Sequence, residues 1–124
     1  MRNEDIFGMD VKKGMAVVAN NKTVYVRLLK TFAASTLHSE LADALEAGDT
    51  SLAMAKAHAL KGVSGNLRID KVFELVKAIE ADLKDGKPVT SNDGLAAELA
   101  AAYAKTLESV NMFIENPDLL TTIE

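Results

Sequence analysis

The sequence predicts an all-α protein, an antiparallel four-helix bundle with a short extra helix at its N-terminus. Apolar residues recur at three- and four-residue spacing along almost the whole chain, the period of an amphipathic helix. No run of β-branched residues alternates with period two, so nothing reads as a strand. The periodic segments are long and their connections short, which favours antiparallel neighbours. The 124 residues suit a single domain, and at 48% apolar they can bury one sizeable core.

Residues 1–9 read as a loose lead-in and residues 10–115 as the bundle. A short helix is expected from about Val11 to Ala19, with Asp10 as its N-cap. Asn20-Asn21 interrupts it, and helical periodicity resumes from about Lys22 to Ala47. The first half of that stretch carries Tyr25, Leu28, Leu29 and Phe32. The second carries Leu37, Leu41, Ala44 and Leu45 on a face turned by well over 90°. Either the helix bends near residues 33–36 or both its faces are covered. Gly48-Asp49 reads as a C-terminal stop followed by the next N-cap. The next helix spans about Thr50 to Arg68. Asp70 is expected to cap a fourth, buried through Val72 or Phe73, Val76, Ile79 and Leu83. Asp85-Gly86-Lys87-Pro88 ends that helix, and residues 85–93 form a polar loop. A final helix from about Leu95 to Glu115 packs through Leu95, Leu99, Tyr103, Leu107, Val110 and Ile114, and Asn116-Pro117 terminates it.

Composition removes several classes of function. There is no cysteine, which excludes disulfides and thiolate metal sites and fits a reducing compartment. The net charge of −4, with no lysine-rich run, argues against nucleic acid as a partner. No apolar stretch approaches a membrane span, and the acidic N-terminus is unlike a secretory signal. A cytoplasmic monomer is the expectation. Dimetal sites in bundles need paired Glu-x-x-His motifs. Neither His38 nor His58 has a glutamate three residues before it, so no metal is expected.

The chemistry concentrates around His58. On a helical wheel His58, Lys61, Gly62 and Gly65 share an arc of roughly 100°, while Leu60, Val63 and Leu67 lie opposite. Each glycine costs a helix interior about 1 kcal/mol relative to alanine. Two of them beside an exposed imidazole suggest that something approaches it closely. Lys61, one turn on, can reach a group attached to the ring. A phosphoryl group carries about −1.5 to −2 charges, and phosphoryl transfer depends mainly on positioning and charge neutralisation. Met54, one turn before His58, can add adaptable apolar surface. His38 has no such neighbours and reads as an ordinary side chain.

The stretch His58-Ala59-Leu60-Lys61-Gly62-Val63-Ser64-Gly65-Asn66-Leu67 resembles the signature of histidine-containing phosphotransfer (HPt) domains: His, two residues, Lys-Gly, then small residues. Tyr25 with Leu28-Leu29 and Phe32 looks like the family's second helix. Leu41, Ala44-Leu45 and Gly48-Asp49 look like the turn before the histidine helix, and Ile79-Glu80 with Lys84-Asp85-Gly86 like the end of the following one. The likeness covers roughly residues 10–86. One position departs from it: the family often has glycine ten residues after the histidine, where this chain has Arg68.

The resemblance implies a phosphocarrier. His58 would accept a phosphoryl group from a receiver-domain aspartate and pass it to another receiver. Lys61 would neutralise the phosphoryl charge, and Glu80 would accept the imidazole N–H. Gly62, Gly65, Met54 and Lys84 would belong to the docking face. The implied partners are response-regulator receiver domains and a hybrid histidine kinase. No cofactor is expected on this chain; Mg2+ would sit on the receiver. With no glycine-rich nucleotide loop, autophosphorylation from ATP is not expected. The alternative is a non-catalytic helical adaptor in which His58 is incidental.

Overall fold

The computed structural model describes residues 1–124. It contains six α-helices and no strand: α1 (Val11–Val17), α2 (Lys22–Ala34), α3 (Leu37–Glu46), α4 (Thr50–Leu67), α5 (Asp70–Lys84) and α6 (Gly94–Glu115). Two 3-10 turns, Asn3–Asp5 and Pro117–Thr121, lie at the termini. α4, α5 and α6 form three rods of the bundle. α2 and α3 together make the fourth, α2 against α6 and α4, and α3 against α4.

The interruption between α2 and α3 settles the two out-of-phase stripes. Ser35 is extended (φ −68°, ψ 141°), and its hydroxyl accepts the Leu37 N–H at 3.2 Å. The chain turns there, so Tyr25, Leu29 and Phe32 of α2 and Leu41 and Ala44 of α3 all enter one core. Buried Ala53 and Ala57 give α4 a small surface on which α3 can pack closely.

The ends of the histidine helix have local causes. Gly48 is left-handed (φ 69°), and the Asp49 carboxylate accepts the Leu52 N–H at 3.1 Å as an N-cap. At the other end Arg68 itself adopts the left-handed conformation (φ 57°, ψ 42°). There the Ile69 N–H closes on the Ser64 carbonyl at 2.9 Å. Arg68 therefore does a glycine's conformational work, and its side chain is held by two hydrogen bonds to Asp70, at 2.9 and 3.0 Å. This corrects the expectation that Asp70 caps the next helix. Ile69 occupies the cap position without a side-chain bond, and Asp70 is the first residue of α5, engaged by Arg68.

The lead-in is also corrected, because it is packed. Ile6 and Met9 are buried, Lys71 N–H donates to the Gly8 carbonyl, and Asp10 N–H donates to the Arg68 carbonyl. Asp10 does cap α1, through the Lys13 N–H. From α2 the buried Tyr25 hydroxyl donates to the Leu67 carbonyl at 2.7 Å, securing the last turn of α4. The Tyr25 hydroxyl is pushed upward in pKa by burial and stays a donor. After Asn116-Pro117 the chain does not simply stop: the final turn buries Leu120. On α6, Leu99, Tyr103 and Val110 are buried as expected, while Leu95, Leu107 and Ile114 are only half-buried. Phe113 fills the core instead.

Candidate functional site

α4 faces its two neighbours through Ala53, Ala57, Leu60 and Leu67, which are buried. With those fixed, the helical period turns His58 outward. Its side chain is 73% exposed, with the Nδ1 atom 2.9 Å from Oε2 of Glu80 on α5. Glu80 sits one turn before the end of the α5 stripe formed by Val72, Val76, Ile79 and Leu83, and its side chain is only 5% exposed.

Three basic groups converge on that carboxylate. Lys61 Nζ donates to Oε1 at 2.5 Å, His58 lies on Oε2, and Lys84 Nζ stands 3.6 Å from Oε1. The Lys61 hydrogen bond is the main reason the Glu80 carboxyl titrates below its ordinary value of 4.5; the His58 contact and the Lys84 charge add to it against the opposing effect of burial. Glu80 is therefore a carboxylate at neutral pH and can only accept. The His58 contact is then an Nδ1–H donating to Oε2, and in the neutral ring this leaves the lone pair on Nε2, the nitrogen not held by Glu80. The arrangement can present a neutral, oriented nitrogen nucleophile and stabilise positive charge on its ring.

The structure thus brings His58, Lys61, Glu80 and Lys84 together. Lys61 is paired with Glu80 rather than free above the ring, a contact between helices that wheel geometry on α4 alone does not contain. Met54 is half-buried against the core, at the margin of the exposed face.

The two glycines separate. A Cβ at Gly62 would meet nothing within 4 Å, so its backbone is open to a partner. A Cβ at Gly65 would lie 3.0 Å from the Phe73 ring of α5. The missing side chain of Gly65 thus makes room for Phe73, a packing reason for this glycine that Gly62 does not share.

The face around His58 has a character that the histidine motif alone does not convey. The exposed residues around His58 on α4 include Leu52, Ala55, Ala59, Gly62 and Asn66, and none is charged. The signal was present, because Lys56 and Lys61 are the only charged residues between Thr50 and Leu67. Lys56 is drawn sideways to Glu40 of α3 at 3.3 Å, as Lys61 is to Glu80. The exposed residues of α4 around His58 are therefore uncharged, with Leu52, 44% exposed, nearer the start of the helix. His38 lies elsewhere, stacked on Tyr103 with ring centroids 4.3 Å apart, and burial lowers its pKa.

No curated protein and no solved structure matches the chain. A family model described as the Hpt domain matches residues 27–111. That span runs from the middle of α2 through most of α6, well over half of the chain, and contains the whole His58–Lys61–Glu80–Lys84 cluster. It reaches further along α6 than the residue likeness did and leaves the N-terminal segment outside. The chain belongs to the Hpt domain family, phosphocarrier modules that carry out phosphorelay histidine phosphotransfer in two-component signalling.

Proposed function

We propose that His58 accepts a phosphoryl group from the phosphoaspartate of one receiver domain and delivers it to the aspartate of another. The observation that carries this reading is the orientation of the imidazole. Its Nδ1–H is held by a buried, ionised carboxylate, and its Nε2 end faces solvent.

In the forward step the Nε2 lone pair attacks phosphorus. The Nε2–P bond forms as the bond from phosphorus to the aspartyl oxygen breaks, and the aspartate leaves with the electron pair. The Nδ1 proton stays in place, so the ring becomes cationic as the phosphoryl arrives. Glu80 stabilises that charge across 2.9 Å. Delivery to the second receiver is the reverse. Lys61 neutralises phosphoryl charge, and the open backbone at Gly62 lets the receiver's aspartate come within bonding distance. Met54, beside the uncharged face, contributes apolar docking area.

The partners on this reading are response-regulator receiver domains and a hybrid histidine kinase. Phosphate enters from them and not from ATP, and Mg2+ acts on the receiver. The protein would work as a cytoplasmic monomer; no helix is long and apolar enough to cross a membrane.

Incubation with a receiver phosphorylated on its aspartate tests the reading. Wild type should take up label, and His58→Gln should take up none. Label in the His58→Gln protein would overturn the assignment. No label in either protein, with every receiver of the host tried, would favour a helical interaction module.

A further inference from the structure

We propose that Lys84 takes over the Glu80 carboxylate when Lys61 turns to the phosphoryl group on His58. The two lysines exchange on one buried anion in each transfer. The inference rests on the phosphocarrier reading and adds a positioning role for Lys84 and a movement of Lys61.

The need for an exchange follows from what Glu80 and the phosphoryl group each require. At rest Lys61 is committed to Oε1 of Glu80 at 2.5 Å. When the phosphoryl group is attached to Nε2, one turn from Lys61 on the same helix face, it brings about −1.5 to −2 charges against the single charge of the carboxylate. Lys61 is drawn towards it. Glu80 cannot then turn to water, because its side chain is only 5% exposed. A buried carboxylate that loses a partner is strongly penalised. The cationic ring on Oε2 offsets part of that loss, but Oε1 is left without a partner, and the remaining penalty would oppose the movement of Lys61 and slow the transfer.

Lys84 removes the penalty. It lies four residues after Glu80 on α5, with Nζ 3.6 Å from the same Oε1 that Lys61 occupies. A charge-assisted N–H···O contact needs about 2.8 Å, so Lys84 has to close by only about 0.8 Å. At 58% exposed it is free to make that move, whereas Lys61 is 25% exposed and held. Meanwhile Oε2 keeps the His58 Nδ1–H, so the ring does not lose its orientation during the exchange. No lysine changes its covalent state, and the phosphoryl bookkeeping is that of the single Nε2–P exchange given above.

The test compares wild type, Lys84→Met and Lys84→Arg. Single-turnover transfer from a phosphorylated receiver should fall about three- to five-fold in Lys84→Met, the range expected for losing one partly exposed ion pair, and return near wild type in Lys84→Arg. The Nδ1–H tautomer of unphosphorylated His58, read from its ring nitrogen shifts, should not change in Lys84→Met, because Lys61 holds Glu80 at rest, and the melting temperature should change by no more than the loss of one partly exposed ion pair allows. In wild type with 15N-lysine, phosphorylation should move the Lys61 Nζ signal away from its Glu80-bound position and shift Lys84 Nζ as it engages. A Lys84→Met protein that transfers at the wild-type rate overturns the exchange. So does a Lys61 signal that stays put on phosphorylation, or a His58 tautomer already altered in unphosphorylated Lys84→Met. Failure of the phosphocarrier reading itself looks different: label would then persist in His58→Gln.

Discussion

Replacing Glu80 by Gln keeps the shape of the acceptor and removes its charge. The amide oxygen can still take the His58 Nδ1–H, so the tautomer and the outward Nε2 survive. What is lost is the stabilisation of the ring cation that grows as the Nε2–P bond forms. Hydrogen bonds to an ionised partner contribute about 1.5–3 kcal/mol, roughly twice the neutral kind. With the acceptor 2.9 Å from Nδ1 and almost fully buried, the charge is little screened by water. Neutralising it should cost about half of that hydrogen bond, ~0.75–1.5 kcal/mol in the transition state, or roughly a 4- to 13-fold slower transfer. Glu80→Ala removes the acceptor as well and lets the ring choose either tautomer. Its transfer should be slower again, by a total of about 10- to 150-fold. Single-turnover transfer from a phosphorylated receiver, followed by rapid quench, separates the three proteins. Wild-type rates in both variants would refute the role given to Glu80. Equal, large losses in both would show that charge alone matters and orientation does not.

Further outcomes follow from the same contacts. Gly62→Gln should leave the melting temperature near wild type or raise it, since the site is open and glycine is about 1 kcal/mol worse than ordinary helix formers, while transfer falls sharply. Gly65→Leu should instead lower the melting temperature, because its side chain must displace Phe73; equal melting curves for the two variants would contradict the distinction. Arg68→Gly should be more stable than Arg68→Ala by about 1 kcal/mol in denaturant unfolding, because both lose the Asp70 pair but only glycine relieves the positive φ. Acidification provides a further test. The folded pKa of Glu80 is depressed, so its stabilisation is fully present above the ordinary glutamate value of 4.5 and is lost as pH falls through the lower folded value. The gap in melting temperature between wild type and Glu80→Gln should therefore narrow as pH drops from 7 to below 4.5; a gap that widens would contradict the shift.

The parts of the site that lie on one helix were the most legible. His58, Lys61 and Gly62 fall on one arc by arithmetic alone, and the structure leaves that arc facing outward. Glu80 entered through its place in the family pattern, and the backbone does bring it to the imidazole. The packing reason for Gly65 is Phe73, a residue on another helix, and no single-helix period encodes that meeting. The same holds for the Lys61–Glu80 pair. The break at Ser35-Thr36 carries neither glycine nor proline, so two opposed stripes were its only trace. Asp70 looked like a cap because aspartate before an apolar run usually is one; Arg68, in a left-handed turn two residues earlier, claims it. The lead-in has no periodicity, so its sequence reads as loose. Yet Ile6 and Met9 need no period of their own to be buried, only the end of a bundle already built.

The central claim is that Nε2 of His58 carries the phosphoryl group, and 31P NMR of the protein after exposure to a phosphorylated receiver tests it most directly. One phosphoramidate resonance should appear in wild type, lost in acid and stable in base, and it should be absent from His58→Gln. A phosphate-ester resonance stable in acid, such as Ser64 would give, or a phosphoramidate that persists in His58→Gln, would contradict the account.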